Sequence, residues 1–334
     1  AVNANGSGNI LIDANAGNID INSDILSATG HITLKAATDI LVGDSTATGV
    51  DITTATTGTI SLDAESGAVT MAGDSTITAT DSSLRVNAAT DITLGNLVGQ
   101  DVSLLADTGA VINASASTMN VTAGNLRIQA DDAIGESDNH ITTTIGTLSA
   151  LSTGTSTAGM YITEADTITV DTVAVSVTEV MDTGAANPTA VTDAAQSDLV
   201  SGNNGNIVLV AGDTITLNDG DTNGEAVNAN GSGSILIDAN ANDIDINSDI
   251  LSGTGHITLK AATDILLDDV ADIDITTGTT GTISLDAEAG AVTMAGDSTI
   301  TATDSSLRVN AATDITVSNL TAQNVSLVAD TGAL

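Results

Sequence analysis

The acidic segment 219–225, Asp-Gly-Asp-Thr-Asn-Gly-Glu, has the residue types and spacing best suited to chemistry in this chain. Its Asp-x-Asp-x-Asn-Gly pattern is that of calcium loops, in which alternate side-chain oxygens converge on one hard cation and a glycine permits the sharp turn. The predicted metal ligands are Asp219, Asp221, Asn223 and Glu225. The pattern is incomplete, because Asn230 stands where a bidentate glutamate is expected. Calcium is therefore the one candidate cofactor, and an ordinary acidic corner is the alternative interpretation.

The remaining titratable residues give no catalytic signature. His31 and His256 occupy the same repeat position, which favours a turn residue, while His140 stands alone near Glu136 and Asp138. Carboxylate pairs are so frequent that spacing alone identifies no acid–base pair. The absence of cysteine excludes disulfides and thiolate metal sites. These patterns predict that the chain is not an enzyme.

A strand motif, Ile/Leu/Val-x-Ile/Leu/Val-x-Ala, recurs about every 18 to 28 residues, which is typical of the turns of a solenoid. Alternation at period two buries one face of a strand and exposes the other, so each copy predicts a β-strand. The predicted inward pairs are Ile10 and Ile12, Ile32 and Leu34, Ile60 and Leu62, Leu84 and Val86, Val102 and Leu104, Leu126 and Ile128, Ile207 and Leu209, Ile235 and Ile237, Ile257 and Leu259, Ile283 and Leu285, Leu307 and Val309, and Val325 and Leu327.

Weaker strands follow each strong strand in a fixed order, for example at residues 39–42 and 50–52 after Ala36. Three short strands per turn, separated by Gly, Asn, Asp, Ser and Thr, bring a chain back above its own start. Equivalent strands then stack in parallel, about 4.8 Å apart. The predicted fold is all-β: a right-handed parallel β-helix (β-solenoid) with three short strands per coil.

Small residues mark the predicted corners of the coils. The alanine at the third inward position suits a corner, because the walls converge there. A glycine often follows three residues later, where a tight turn is predicted to require positive φ. These glycines are Gly17, Gly67, Gly109 and Gly290.

A longer repeat lies over the short one. Residues 226–334 repeat residues 1–111, with about four in five positions identical and a two-residue slip near Ser45. We therefore divide the chain into one full repeat unit, 1–225, and the first half of the next unit, 226–334, which continues the same β-helix. An excerpt from a longer tandem array is the expected context.

Within the first unit the pattern becomes irregular after Ala130. Residues 131–180 still alternate and predict coils with altered corners. From about 181 to 205 the alternation stops, and Pro188 is the only proline of the chain. Long loops inside compact solenoids are typically functional or disordered, so we predict a surface excursion there, with partner contact as one hypothesis for its role.

Charge and hydropathy limit the possible classes of function. The chain has 43 acidic and 5 basic residues, a net charge of −38, and 41% hydrophobic residues. Such a chain is too apolar for a disordered acidic tail, so the charge is expected on the surface of a folded object. Nucleic acid and anionic membranes would be repelled. No apolar run approaches the ~20 residues of a membrane span, so no membrane insertion is predicted.

The basic residues are not randomly placed, since all lie at outward positions of strong strands. They are Lys35, Arg85, Arg127, Lys260 and Arg308. The predicted register places Lys35 between Asp13 and Asp63, where it relieves a column of like charges. Charge relief along a solvated sheet face is one interpretation, and a basic ligand-binding stripe is the other.

Three segments resemble a known family. Residues 8–14, residues 30–36 with the following Asp39-Ile40, and Ala133-Ile134-Gly135 leading to 141–143 are similar to repeats of filamentous-haemagglutinin-type adhesins. The resemblance covers most of the chain apart from about 181–205. It implies a giant secreted bacterial β-helix, exported by two-partner or related systems.

These observations favour a structural rod segment of a giant secreted or cell-surface adhesin or extracellular fibre, located at the bacterial outer surface. It would act as a rigid spacer or scaffold. The alternative is a carbohydrate-active β-helix enzyme of the polysaccharide lyase or hydrolase type, since fold alone does not decide function. Basic and aromatic residues that hold sugar chains are nearly absent. Threonine columns such as Thr76-Ile77-Thr78, typical of ice or mineral binding, do not continue from coil to coil.

The expected partners follow from the ends of the coil stack. Exposed strand edges recruit further strands unless they are capped. Residues 1–10 and 325–334 carry no charged or proline-bearing cap. We therefore expect pairing with flanking repeats of the same polypeptide or with end-to-end copies, and contact with host, neighbouring-cell or matrix surfaces is a further hypothesis.

Overall fold

The computed structural model describes residues 1–43, 49–114, 118–154, 159–202, 204–267 and 272–334. These residues form an all-β parallel β-solenoid of about 13 turns, as the strand periodicity predicts. None of them lies in a helix that is long and apolar enough to cross a membrane.

The chain folds as two compact units. Unit 1 contains Ala1–Ile145 and Val173–Ala195, and unit 2 contains Gly146–Thr172 and Gln196–Leu334. The first copy of the long repeat therefore lies in unit 1 and the second copy in unit 2. The repeat boundary predicted at residue 225 stays a prediction.

Short β-strands make up almost all regular structure before residue 173. In chain order they are β1 (Val2–Ala4), β2 (Ile10–Ala14), β3 (Ile19–Ile21), β4 (Ile25–Ser27), β5 (Ile32–Ala36), β6 (Ile40–Val42), β7 (Asp51–Thr54), β8 (Ile60–Ala64), β9 (Val69–Met71), β10 (Thr76–Ala88), β11 (Ile92–Leu94), β12 (Asn96–Ala106), β13 (Val111–Asn113), β14 (Val121–Ala130), β15 (Ile141–Ser152), β16 (Met160–Glu164) and β17 (Ile168–Val170).

The structure from residue 173 onward is also made up of β-strands. They are β18 (Val173–Val177), β19 (Val191–Gln196), β20 (Leu199–Ser201), β21 (Ile207–Ala211), β22 (Ile215–Leu217), β23 (Glu225–Ala229), β24 (Ile235–Ala239), β25 (Ile244–Ile246), β26 (Asp249–Ser252), β27 (Ile257–Ala261), β28 (Ile265–Leu267), β29 (Asp274–Thr277), β30 (Ile283–Ala287), β31 (Val292–Met294), β32 (Thr299–Ala311), β33 (Ile315–Thr316) and β34 (Asn319–Ala329).

In unit 1 the strands stack as parallel ladders in which equivalent residues pair from coil to coil. The strong strands form one ladder, which we call ladder A: β2, β5, β8, β10, β12 and β14. A second ladder contains β3, β6, β9, β11 and β13. A third contains β1, β4, β7 and the first halves of β10 and β12.

Unit 2 repeats this arrangement. Its ladder A contains β16, β21, β24, β27, β30, β32 and β34. Its second ladder contains β17, β22, β25, β28, β31 and β33. Its third ladder contains β20, β23, β26, β29 and the first halves of β32 and β34.

The predicted inward pairs form the core. From Ile32 and Leu34 to Leu307 and Val309, both members of every predicted pair are buried, and the alanine that follows each pair is buried as well. The first and last coils differ, because Ile12 is only partly covered and Val325 is exposed. Period-two alternation therefore predicted the core correctly, except where one side of a coil has no neighbour.

The predicted positive φ at the corner glycines is wrong. Gly67, Gly109 and Gly290 keep negative φ, and what they need is space, because a Cβ there would meet the backbone and an aspartate of the preceding coil. In the first such corner the Asp39 carboxylate accepts a hydrogen bond from the Ala68 backbone N–H at 2.9 Å. Gly17 also lacks positive φ but has open space around it.

One prediction falls outside the described residues: the two-residue slip near Ser45. The irregular region can be described more fully. β18 and β19 pair as a two-stranded sheet outside the ladders, with an antiparallel bridge between Val180 and Ala186. We call residues 173–196 the cover hairpin. It begins before the predicted excursion at 181–205, and β20 then returns to the third ladder of unit 2.

Candidate functional site

The cover hairpin lies on the outer face of ladder A in unit 1, with β18 packed on β10, β12 and β14. Val173, Val175 and Val177 are buried and the residues between them are exposed. β18 therefore packs an apolar face against the outer surface of ladder A, which would otherwise be exposed to solvent.

Hydroxyl side chains of two coils, those that contain β5 and β8, hold the tip of the hairpin. The backbone N–H of Val180 donates to Thr33 Oγ1 at 2.9 Å. The Thr59 hydroxyl donates to the Thr178 carbonyl at 2.6 Å and accepts from the Thr178 N–H at 3.0 Å. Ser61 Oγ donates to Glu179 Oε1 at 2.9 Å. Unpaired backbone groups of the hairpin are thus satisfied by the wall on which it lies.

Two arginines hold the base of the hairpin. Arg85 Nε lies 3.0 Å from both carboxylate oxygens of Asp193, and both residues are buried. Arg127 Nε donates to the Ala194 carbonyl at 3.0 Å. Burial lowers the pKa of Arg127, and the Asp193 carboxylate acts in the opposite direction. A buried ion pair of this kind is costly to break, because removing one partner leaves the other charge without compensation.

The second copy of the repeat carries the same residue types at these positions without a hairpin over them. Thr258, Thr282, Ser284 and Arg308 are the equivalents of Thr33, Thr59, Ser61 and Arg85. The Arg308 side chain is 48% exposed, against 10% for Arg85. Its ion pair with Asp286 spans 3.6 Å. The same outward column is therefore covered in one copy and open in the other.

The basic residues serve different roles, so neither predicted interpretation holds for all of them. Lys35 pairs in register with Asp13 and Asp63, as predicted, and its Nζ lies 2.8 Å from Glu65 Oε1. That hydrogen bond raises the pKa of Lys35. The first interpretation, relief of repulsion between like charges on a solvated sheet face, describes Lys35 well. It is wrong for Arg85, which is buried under the hairpin.

The predicted calcium ligands lie together in the turn between β22 and β23. Asp219 accepts hydrogen bonds from the N–H groups of Asp221 and Gly224 at 3.1 and 3.2 Å, and Asn223 accepts from Glu225 at 2.7 Å. The backbone N–H groups of Asn223 and Thr222 lower the pKa of Asp221. Within the described ranges, no three His, Cys, Asp or Glu side chains are arranged to hold a metal ion. The calcium site stays a prediction.

Asp198, which the sequence pattern did not mark, lies beside this turn. It is 2% exposed, and burial raises its pKa to about 6 despite hydrogen bonds from Asn223 and Ser197. The Ser197 hydroxyl lies 3.1 Å from Asp198 Oδ2 and 3.0 Å from Asp221 Oδ2. Asp221 in the turn and Asp198 beside it are therefore neighbouring carboxyl groups whose pKa values are shifted in opposite directions.

The repeated histidines act as links between coils. His31 Nδ1 accepts a hydrogen bond from the Thr59 N–H at 3.1 Å, and His256 accepts from Thr282 at the same distance. Accepting from an N–H requires an unprotonated Nδ1. Burial lowers the pKa of His31, which favours that neutral form.

Sequence reasoning missed the cover hairpin because the alternation at 173–177 was interpreted as part of a coil wall. A signal was present: Arg85 and Arg127 are outward residues of ladder A in the same column, on either side of Ser103, and two arginines so placed need a counter-charge. The sequence does not say which of its many carboxylates supplies it.

The geometry defines a class of protein, the parallel β-solenoid with a covered outer face. In comparisons with known proteins, neither a family model, nor a curated protein, nor a solved structure matches this chain.

Proposed function

We propose that this chain is a structural, non-enzymatic segment of a giant secreted or cell-surface protein, in which it acts as a rigid spacer or scaffold. The observation that carries the proposal is the register of ladder A, in which Ile pairs with Ile and Ala with Ala from coil to coil, as between β24 and β27. Bending or shearing such a stack breaks several hydrogen bonds and buried contacts at once. The finer fold proposed is a right-handed helix with three strands per coil.

The surface charge supports the spacer role. A net charge of −38 keeps a long stack soluble and separated from its neighbours. The resemblance to filamentous-haemagglutinin-type repeats supports an adhesin or fibre at the bacterial surface. Flanking repeats or further copies of the chain are the proposed partners along the stack, with host, neighbouring-cell or matrix surfaces at its far end.

Small-angle X-ray scattering of the purified chain tests the spacer proposal. Each parallel coil of a stack adds about 4.8 Å to its length. The spacer proposal therefore expects an elongated particle, with a cross-section unchanged between low and moderate salt. A flexible or collapsed particle would contradict a spacer role.

One observation favours an enzyme as the second candidate. Carboxyl groups whose pKa values are pushed apart, as at Asp198 and Asp221, are typical of acid–base pairs in glycoside hydrolysis. Burial argues against this role, because a substrate oxygen has to reach Asp198. Incubation with a polysaccharide panel decides between the two: cleavage that is lost in both Asp198→Asn and Asp221→Asn would establish the enzyme, and no cleavage is expected.

A further inference from the structure

The base of the cover hairpin buries two polar side-chain atoms that have no hydrogen-bond partner in the described part of the chain. They are Arg127 Nη1 and Ser103 Oγ. Arg127 is 6% exposed and Ser103 is fully buried. Buried polar atoms in folded proteins almost always have a partner, so these two indicate a group that the chain itself does not supply.

The two side chains are neighbours in ladder A. Ser103 of β12 pairs in register with Arg127 of β14, and β18 of the hairpin packs on both strands. Paired residues of parallel strands lie about 4.8 Å apart, so one small ligand can contact both side chains. The remaining nitrogens of Arg127 already have neutral acceptors: Nε donates to the Ala194 carbonyl at 3.0 Å, and Nη2 donates to Gln129 Oε1 at 2.8 Å.

The charges under the hairpin do not balance. Arg85 and Arg127 are both buried, and the Asp193 carboxylate binds Arg85. Arg127 takes part in no ion pair with another described residue. Burial lowers the pKa of Arg127, and Arg85 adds to that effect while Asp193 opposes it. A guanidinium stays charged in proteins, and a buried charge without a counter-ion is costly.

The nearest other carboxylates are engaged elsewhere. Glu179 of the hairpin accepts from Ser61, which lies three strands from Arg127 in the same column. Asp101, at the start of the strong part of β12, accepts from Asn125 Nδ2 at 2.7 Å. One positive charge at the base of the hairpin is therefore left for an anion from solution.

We propose that a chloride ion binds at the base of the cover hairpin, where Arg127 Nη1 and Ser103 Oγ donate hydrogen bonds to it. One uncompensated positive charge calls for a monoanion, and the burial of both donors requires a small one. A water molecule would satisfy the hydrogen bonds but would leave the charge in place. The proposal does not depend on the spacer role.

Chloride bound under the hairpin stabilises the docked hairpin, which gives a direct test. Amide hydrogen exchange at Thr178 and Val180, whose N–H groups donate to the wall of ladder A, is measured while sodium chloride replaces sodium gluconate at fixed ionic strength. Protection should rise saturably by the factor 1 + [Cl⁻]/Kd, which is about tenfold when chloride is at about nine times its Kd. Protection that does not change with chloride would overturn the proposal, since water would then serve both donors.

Ser103→Asp supplies the negative charge covalently beside Arg127. This variant should protect the hairpin amides without chloride and should not respond to chloride. Its matched control is Ser326→Asp, because Ser326 pairs with Arg308 as Ser103 pairs with Arg85 but is exposed. The control should keep the wild-type response. A response that persists in Ser103→Asp, or one that disappears in Ser326→Asp, would overturn the proposal.

Two further measurements cover the case in which Ser103→Asp fails to dock the hairpin. Ser103→Ala keeps the Arg85 pair and the tip contacts but removes one donor, so the chloride midpoint should rise about tenfold. An unchanged midpoint would contradict the site. Crystals of the wild type grown with bromide in place of chloride should show an anomalous peak at hydrogen-bonding distance from Arg127 Nη1 and Ser103 Oγ, and no peak there would overturn the proposal.

Discussion

The two copies of the long repeat differ less in sequence than in what covers them. In the first copy, Arg85 is buried against Asp193 under the cover hairpin. In the second copy, Arg308 occupies the same position in the same motif, and its side chain is 48% exposed. The arginine at this repeat position is therefore part of a buried ion pair in one copy and a solvent-exposed, weakly paired surface cation in the other.

This difference shows that residue identity within a repeat does not determine the contribution of a residue to stability. An exposed ion pair contributes about 0 to 1 kcal/mol, because water and salt screen it. Removing one partner of a buried pair destabilises by about 3 to 5 kcal/mol. The environment supplied by the hairpin separates these two cases.

The largest expected effect comes from comparing Arg85→Ala with Arg308→Ala. Arg85→Ala should weaken hairpin docking by about 3 to 5 kcal/mol, because Asp193 is left buried without its cation. Hydrogen exchange at the Thr178 and Val180 amides, which donate to Thr59 and Thr33, reports docking directly.

The control is Arg308→Ala, which should change unfolding by less than about 1 kcal/mol. Similar losses in the two variants would mean that the hairpin adds nothing to the first copy. Unchanged amide protection in Arg85→Ala would mean that the tip contacts alone hold the hairpin.

Asp198 sharpens the comparison, because it is buried without an arginine. Its pKa is raised to about 6, above the unfolded value of 3.8, so the folded state binds the proton more tightly and stability falls as pH rises through this window. Asp198→Asn should therefore stabilise the chain at pH 7.5, by at most about 3 kcal/mol. Asparagine also tolerates the positive φ of 67° at this position.

Urea unfolding at pH 7.5 and at pH 5 measures this effect. The gain should shrink at the lower pH, where Asp198 is protonated in the wild type. A gain of the same size at both values would mean that packing, and not charge burial, is responsible. Asp221→Asn is the matched control, since the pKa of Asp221 is lowered.

His31 provides a smaller test of the covered copy. Its pKa is lowered below 6.5 by burial, so the unfolded state binds more protons and stability is lost as pH falls below 6.5. Breaking the bond that Nδ1 accepts from Thr59 should cost about 0.5 to 1.5 kcal/mol. Unfolding midpoints measured from pH 7.5 to 5.5 should fall for the wild type and fall less for His31→Gln. His256→Gln serves as the exposed counterpart, and an equal effect there would remove the distinction between the copies.

The smallest expected effect concerns cations. Screening of the net charge of −38 should raise the melting midpoint with salt. If the predicted ligands Asp219, Asp221, Asn223 and Glu225 bind calcium, the midpoint should rise further in calcium than in chelator at fixed ionic strength, and Asp219→Asn should remove the difference. Identical midpoints in calcium and chelator would leave only nonspecific screening.

The sequence by itself determined the parallel β-solenoid, its ladder A and its core. Period-two alternation in the strong strands places Leu34 and Leu259 in the interior of the coil, whatever packs on its outer face. The reason is that the interior of a solenoid is built from successive turns of the same local pattern. The same locality explains why the register of Lys35 between Asp13 and Asp63 was predictable.

Only the tertiary structure decided what lies outside the coil. The pairing of Arg85 with Asp193 joins residues 108 positions apart, and many other carboxylates had the same chemistry. Asp198 likewise acquires its raised pKa from burial, which no local pattern encodes. The need for glycine at a corner also depended on the preceding coil. Position 67 requires glycine because Asp39 of the preceding coil approaches closely, and not because its backbone has a positive φ. Long-range packing selects one partner among many equivalent candidates, and repetition in sequence leaves that choice open.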